Sequence, residues 1–270
     1  MTSLSETRRG RARRGRDRSR ALVYRHYHGR GWKGAFRRYE ELLESLVKPS
    51  SVVLDVGCGR GFPSADLLLR LGAEVHGLDP MADPAAVPPR TTVKSGLAEA
   101  IPYPDGTFDL LTSRSVLEHL EEPERAFREF RRVLKPGGHL AFLVPNRYDY
   151  VSIAAMLIPN SLHASVIRRV EGRDEHDTFP TYYRANSVGQ IGHLAARTGF
   201  EVVRLEYLNH YPYLLTFSPL LCSAGIAYDE LIRRVRWLHW LRAWLLGLLR
   251  CAERQPSRRS GSRSIRVSEP

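Results

Sequence analysis

Cysteine is scarce in this sequence of 270 residues, and the three that occur are Cys58, Cys222 and Cys251. Three widely separated thiols match neither a disulfide framework nor the paired spacing of a zinc site, so a reducing cytoplasm is the expected location. No run of 18 consecutive apolar residues occurs, so no ordinary transmembrane helix is predicted. No apolar segment follows the charged N-terminus, so no secretory signal peptide is expected.

The net positive charge of the sequence comes from its two ends. The net charge is +12, with +11 on residues 1–38 and +3 on residues 252–270, which leaves a slightly acidic body. The Arg/Gly/Ser stretch at 8–20 has too few apolar residues to build a core, and we expect the tails 1–30 and 253–270 to be disordered. A basic tail of this kind also suits acidic lipid or nucleic acid.

Strands and helices are predicted to alternate through the first half of the sequence. Apolar periodicity indicates an amphipathic helix over 35–47. Strands are expected at 51–56, 74–79, 91–95, 107–113 and 139–145, and helices at 62–71, from the capping box at 115–118, and from 123 to 134. This alternation implies a parallel sheet covered by helices on both faces, which binds ligands at the carboxyl ends of its strands.

Three glycines stand at alternate positions in VLDVGCGRGFPS (53–64), directly after the first predicted strand. Glycine can adopt positive φ and leaves no Cβ in the way of a ligand. A nicotinamide-binding turn reads G-x-G-x-x-G, but here the glycines are 57, 59 and 61, and Phe62 follows. Asp55 would repel a pyrophosphate and accept hydrogen bonds from an ammonium group. A NAD-dependent oxidoreductase is therefore disfavoured.

Four blocks of sequence resemble class I S-adenosylmethionine-dependent methyltransferases. VLDVGCGRG resembles motif I, VHGLDP (75–80) resembles the acidic motif of the second strand, and residues 98–146 resemble the rest of the type 11 methyltransferase domain. Segment 186–208 resembles the helix and sixth strand that complete the family's sheet. The resemblance implies an α/β, Rossmann-like doubly wound fold with a mostly parallel seven-stranded sheet, and S-adenosylmethionine as cofactor. The seventh strand is not placed by the sequence.

The resemblance also assigns cofactor contacts to matching positions. Gly57 and Gly59 would line the methionine part of the cofactor, and Asp79 would bind both ribose hydroxyls. Leu97 stands where the family often has an acidic residue, so adenine is expected to be held by the backbone at Ala98. The full set of expected cofactor residues is Asp55, Gly57, Cys58, Gly59, Gly61, Asp79, Pro80, Ala98, Glu99, Ser113 and Arg114.

Acceptor-binding residues are expected after the fourth and fifth strands. A helical insert over 146–186 follows the fifth strand, is rich in hydrogen-bonding groups, and is predicted to form a lid over the acceptor. The candidate catalytic residues are His119, His176, Asp177 and Tyr183. No metal site is expected, because the acidic cluster of the insert has no second matching cluster and the reaction needs no metal.

The methyltransferase domain is predicted to span 31–210, with its cofactor half at 50–146, and a helical extension is predicted over 211–252. Leucine, tryptophan and arginine recur with helical period in 231–251, which indicates a C-terminal amphipathic helix. Such a helix suits an anionic membrane surface, and it equally suits the protein's own core or a dimer interface.

The predicted function is transfer of a methyl group from S-adenosylmethionine to a small-molecule, glycan-like or lipid-linked acceptor. Oxygen is the expected acceptor atom, and the inner face of the membrane is a possible location beside the cytoplasm. Two alternatives stay open: a nucleic-acid methyltransferase, and a non-catalytic, membrane-associated protein that binds the cofactor. The acidic body and the lack of an N-P-P-Y-like motif disfavour nucleic acid.

Overall fold

The computed structural model describes residues 3–27, 29, 31–157 and 179–252. In chain order these residues form α1 (Ser3–His26), α2 (Ala35–Leu46), β1 (Val52–Val56), α3 (Ala65–Arg70), β2 (Glu74–Leu78), β3 (Thr91–Lys94), β4 (Phe108–Arg114), α4 (Pro123–Val133), β5 (Leu134–Pro145), α5 (Tyr150–Leu157), α6 (Val188–Thr198), β6 (Phe200–Leu208), α7 (Pro219–Arg234) and β7 (Trp244–Cys251). Short 3₁₀ turns lie at Leu117–His119, Tyr213–Leu215 and Arg236–Leu241.

The strands form one sheet in the order β3-β2-β1-β4-β5-β7-β6. β1 pairs in parallel with β2 and β4, and the pairs β2–β3 and β4–β5 are parallel too. The strand order reverses between β1 and β4, so the topological switch point lies beside the glycine turn that follows β1. The predicted Rossmann-like fold with seven mostly parallel strands is confirmed.

Helices α4 and α6 have terminal residues typical of helix ends. Pro123 opens α4, whose buried face carries Phe127 and Phe130. Ser187 caps α6 by accepting a hydrogen bond from the backbone N–H of Gln190, and α6 ends at Gly199 in the left-handed conformation. α6 therefore has a cap at each end, whereas α4 has only the proline in its first turn.

The helix predicted from the capping box at 115–118 is wrong. Ser115 has a φ of +57° and its backbone N–H donates to the carbonyl of Leu143, which extends the hydrogen bonds between β4 and β5. Only the 3₁₀ turn Leu117–His119 follows. The helix predicted over 62–71 is also shorter, because buried Phe62 has a φ of +47° and α3 begins at Ala65.

The C-terminal amphipathic helix predicted over 231–251 is wrong as well. α7 ends at Arg234, and residues 244–251 form β7, the seventh strand, between β5 and β6. β7 has the sequence WLLGLLRC and is buried on both faces over most of its length. A strand buried on both faces has no period-two alternation, so its apolar run can equally be interpreted as part of a helix.

The disorder predicted for the tail 1–30 is wrong over residues 3–26, which form α1. α1 lies parallel to α7: the Cys222 thiol donates to the carbonyl of Ser19 at 3.8 Å, and the Tyr27 hydroxyl donates to Asp229 Oδ2 at 2.5 Å. Val23 and Tyr27 are buried against Cys222 in this contact. Packing on another helix thus supplies the core that the arginine-rich sequence lacks by itself. The tail 253–270 lies outside the described residues.

The described chain divides into two compact units. The sheet unit comprises residues 36–147, 179–206 and 245–252, and it contains every predicted cofactor residue. The helical unit comprises residues 3–35, 148–157 and 207–244 within the described ranges.

None of the helices described is both long and apolar enough to cross a membrane.

Candidate functional site

The carboxyl ends of three neighbouring strands bring most of the predicted cofactor residues together. Val56 of β1 lies beside Leu78 of β2 on one side and Ser113 of β4 on the other. A Cβ on Gly96 would lie 2.9 Å from the Leu78 side chain, so the segment that carries Ala98 and Glu99 also approaches this edge. The predicted residues that share the edge are Asp55, Gly57, Cys58, Gly59, Gly61, Asp79, Pro80, Ser113 and Arg114.

The glycine turn is held at the end of β2 by backbone hydrogen bonds. The backbone N–H groups of Gly57 and Cys58 both donate to the carbonyl of Leu78, at 2.7 and 3.3 Å. Gly57 has a φ of +76°, and a Cβ there would lie 2.0 Å from a methyl group of Val116. Gly59 has a φ of +70°, but a Cβ on Gly59 or Gly61 would meet nothing within 4 Å. This side of the turn therefore borders open space that a ligand can reach.

Asp79 follows β2 and presents its carboxylate to the same turn. Its Oδ2 accepts from the backbone N–H of Gly59 at 2.9 Å, and its Oδ1 accepts from that of Met81 at 2.8 Å. Each carboxylate oxygen keeps a second lone pair for another donor. The two oxygens thus fit the vicinal hydroxyls of a ribose, as the family resemblance implies, and they also hold the turn in place.

Asp55 is directed into the protein. Its carboxylate accepts from the Thr112 hydroxyl at 2.6 Å and from the Ser64 hydroxyl, so it ties β1 to β4 and to the start of α3. Burial raises the pKa of Asp55, against the opposing effect of these hydroxyl donors. Its role toward the cofactor stays a prediction.

Burial also raises the pKa of the Cys58 thiol to about 12, which makes it a poor nucleophile.

Helix α2 supports the end of β4. The buried Tyr39 hydroxyl accepts from the backbone N–H of Ser113 at 3.1 Å, and the Arg114 guanidinium lies 5.5 Å from the centre of the Phe36 ring. Sequence reasoning did not assign Tyr39 a role.

Leu97, at the position expected beside adenine, is 58% exposed and is free to cover a flat apolar ring.

His119 lies on the 3₁₀ turn after β4, three residues after Val116, which contacts Gly57. Its Nδ1 hydrogen-bonds the carbonyl of Pro180 at 2.8 Å. A carbonyl only accepts, so Nδ1 carries the hydrogen and Nε2 holds the lone pair of the neutral ring. Burial lowers the pKa of His119 and so favours this neutral form. The arrangement suits a proton acceptor.

Glu118, beside His119, is a buried carboxyl group that sequence reasoning missed. Its Oε1 lies 4.0 Å from His119 Nε2, and its Oε2 has no hydrogen-bond partner within the part of the chain that is described. Burial raises the pKa of Glu118 to about 8, so the group is largely protonated at neutral pH. The local sequence LEHL does not predict this burial, because it depends on contacts with residues distant in sequence.

The end of the insert is fixed to this segment. The backbone N–H groups of Tyr182 and Tyr183 donate to the carbonyl of Glu118 at 2.7 and 3.2 Å, and Arg184 donates to the carbonyl of Glu121 at 2.6 Å. Tyr183 is buried and has a φ of +51°. His176 and Asp177 lie outside the described residues, as does the whole of 158–178. Over the described ranges, no group of three or more potential metal ligands is found.

Comparisons with known proteins agree with the geometry. A family described as a methyltransferase domain matches residues 24–205, more than half of the chain. A ubiquinone biosynthesis O-methyltransferase of Pseudomonas putida (strain W619) is 32% identical over 174 residues, which are 59% of this chain and 71% of that protein. A probable S-adenosylmethionine-dependent methyltransferase of Mycolicibacterium smegmatis is 34% identical over 185 residues, 63% of this chain and 70% of its own.

A solved S-adenosylmethionine-dependent methyltransferase from Mesorhizobium loti has a similar fold. It superposes with a TM-score of 0.51 at 19% sequence identity, and the match covers 79% of this chain and 96% of that one. At this level of identity the likeness concerns the fold alone.

Proposed function

Because the chain belongs to the S-adenosylmethionine-dependent methyltransferases, we propose that it methylates a hydroxyl oxygen of a small molecule, with His119 as the proton acceptor. The observation that carries the proposal is the hydrogen bond from His119 Nδ1 to the Pro180 carbonyl, which leaves the lone pair on Nε2 of a side chain that is 29% exposed. The choice of oxygen is supported by the relatives named O-methyltransferases.

S-adenosylmethionine supplies a methyl group on a positively charged sulfur, which needs no further activation. The chain therefore has to bind the cofactor, align the acceptor and remove its proton. Asp79 binds the ribose hydroxyls, while Gly59 and Gly61 leave room for the cofactor beside the turn. Ala98, Glu99 and the exposed Leu97 lie near the adenine.

His119 Nε2 takes the proton of the acceptor hydroxyl. The Pro180 carbonyl holds the ring in the required tautomer, and Glu118 Oε1 at 4.0 Å stabilises the imidazolium when the carboxyl is ionised. Tyr183 is the candidate acceptor contact at the described end of the insert, whereas His176 and Asp177 lie outside the described residues. Its support is that this end is bonded to the His119 segment through the carbonyls of Glu118 and Glu121.

The decisive experiment compares His119→Gln with His193→Gln in a methyl-transfer assay. Labelled S-adenosylmethionine and a panel of small hydroxylated compounds are supplied, and labelled product is identified by mass spectrometry. His193 lies exposed on α6 and serves as the matched control. We expect His119→Gln to lower kcat by about 10²–10⁴-fold with the cofactor Kd nearly unchanged, and His193→Gln to change neither. Full turnover in His119→Gln would place the base elsewhere.

The pH dependence provides a second test of the same site. His119 acts only when neutral, and its pKa is lowered, so kcat should rise with pH on the acid side of neutrality and then level off. Ionisation of Glu118 around pH 8 should strengthen the base and produce a further rise. Glu118→Gln is expected to remove only that second rise. A profile that is unchanged in Glu118→Gln would show that the carboxyl does not act on His119.

A narrower version of the proposal is that the acceptor is a lipid-linked molecule, methylated at the inner face of the cytoplasmic membrane. The exposed Trp237 and Trp240 favour this version, because tryptophan prefers the boundary between lipid and water. Labelled lipid in the assay would support it. Label transferred to RNA or DNA would favour a nucleic-acid methyltransferase, and cofactor binding with no transfer to any extract would favour a non-catalytic role.

A further inference from the structure

Helix α7 carries apolar residues on both of its faces. One face is buried and carries Cys222, Gly225 and Ile232, together with Asp229, which accepts from Tyr27. The opposite face carries Leu220, Ala224, Ala227 and Leu231, all exposed and spaced at helical intervals. Leu220 is 80% exposed and Leu231 is 52% exposed. A surface helix normally places polar residues on its solvent side, so this second apolar stripe is expected to bind a partner or a lipid surface.

The four exposed residues Leu220, Ala224, Ala227 and Leu231 are called the outer stripe of α7. Positive charge lies at the C-terminal end of this stripe. Arg233 and Arg234 close the helix, and both pair with Glu230. Exposed Arg236 and Trp237 follow directly, and Trp237 is 75% exposed. The exposed residues therefore change from leucine and alanine on α7 to arginine and tryptophan at its end and on the 3₁₀ turn that follows.

Helix α1 adds positive charge to the same helical unit, although it packs on the buried face of α7, opposite the outer stripe. It runs parallel to α7, as the contacts of Ser19 with Cys222 and Tyr27 with Asp229 show. Its sequence contains nine arginines against Glu6 and Asp17. Arg16, Arg18, Arg20 and Arg25 are exposed. The arginines of α1 therefore add to the overall attraction of the helical unit to an anionic surface, whereas Arg234 and Arg236 lie at the end of the stripe itself.

We propose that the outer stripe of α7 lies on an anionic membrane surface, with Trp237 at the headgroup level and Arg234 and Arg236 near the lipid phosphates. Apolar residues on one side, arginine beside them and tryptophan at the boundary are the features of a helix that lies in a membrane interface. The charge complementarity selects lipid over a neutral protein partner. This inference rests on the helical unit alone and does not depend on the proposed acceptor.

Flotation of the full chain with vesicles tests the proposal. Vesicles of phosphatidylcholine with phosphatidylglycerol are compared with vesicles of phosphatidylcholine alone, each at low and high salt. We expect flotation with the anionic vesicles at low salt, and much less with neutral vesicles or in high salt. Failure of the chain to float with anionic vesicles would overturn the proposal.

Two pairs of variants separate the stripe from the charge. Leu220→Ser with Leu231→Ser should weaken vesicle binding by roughly tenfold for each leucine, because that apolar surface no longer enters the interface. Val203→Ser is the control, since Val203 is 52% exposed on β6 in the sheet unit. Circular dichroism melting confirms that each variant is folded. Unchanged flotation of the leucine variant would overturn the role of the stripe.

Arginine variants complete the test. Arg233→Gln with Arg234→Gln should weaken binding to anionic vesicles and reduce its salt dependence. Arg125→Gln with Arg128→Gln is the matched control, because these α4 arginines also pair with glutamates three or four residues away. If light scattering shows a dimer that the leucine variant converts to monomer, the stripe is a contact between copies and the proposal fails. Binding of single-stranded RNA in place of vesicles would also contradict it.

Discussion

Gly57 and Gly59 have similar backbone angles but different neighbours. A Cβ on Gly57 would overlap Val116, whereas a Cβ on Gly59 would enter open space. Gly57→Ala therefore combines a left-handed alanine with a steric clash, while Gly59→Ala has only the backbone cost of about 1–2 kcal/mol. We expect urea unfolding to show a larger loss of stability for Gly57→Ala.

Cofactor binding should depend more on Gly59 than on Gly61. Gly59→Ala adds a methyl group on the side where the cofactor approaches, so calorimetry should show weaker binding of S-adenosylmethionine than in Gly61→Ala. Gly61 borders open space too but lacks a positive φ, which makes its variant the milder control. Equal stability losses at 57 and 59 would contradict the packing argument.

The residues of the cofactor edge could be predicted because their roles depend on local sequence. Gly57, Gly59 and Asp79 lie next to strand ends, where the parallel sheet brings them together. Glu118 could not be found in this way. Its raised pKa arises from burial among residues distant in sequence, and a glutamate in LEHL has the same letters whether it is exposed or buried. Tyr39 was missed for the same reason, since its partner Ser113 is 74 residues away.

At the scale of the element, β7 is the part of the fold that pattern reasoning assigned wrongly. Its centre, Gly247, lies directly against Phe142 of β5, where a Cβ would come within 2.0 Å of the ring. The helices and strands between 35 and 145 were largely predicted, because their apolar periods and turn residues are local signals. β7 lacks such a period. α1 was missed because its contacts with α7, which are distant in sequence, stabilise it.

Gly247→Ala should therefore destabilise the protein by about 1–3 kcal/mol, the usual cost of overpacking a filled core. The control is Gly189→Ala in the first turn of α6, where a Cβ meets nothing within 4 Å. We expect the control to be neutral or slightly stabilising, since alanine favours helix over glycine. Urea midpoints measure both. A neutral Gly247→Ala would mean that β7 does not pack against Phe142 as described.

At the scale of the whole molecule, cofactor binding should stabilise the folded chain. S-adenosylmethionine at 100 times its Kd adds about 2.7 kcal/mol, which should raise Tm by about 5 °C or more. NADH should produce no shift. Asp79→Asn should reduce the shift, because the amide retains one acceptor oxygen and loses the charge, at a cost of about 1–3 kcal/mol in binding. A shift with NADH but none with S-adenosylmethionine would contradict the site described above.

The strand order has a consequence for synthesis of the chain on the ribosome. β6 is an edge strand whose neighbour in the sheet is β7, and β7 begins at Trp244 while β6 ends at Leu208. At roughly 5–20 residues per second, the nascent chain needs several seconds to extend from one strand to the other. During that interval the edge of β5 that β7 will cover is open to pairing with another chain. Molecular chaperones that shield nascent edges should therefore matter most between the emergence of β6 and that of β7.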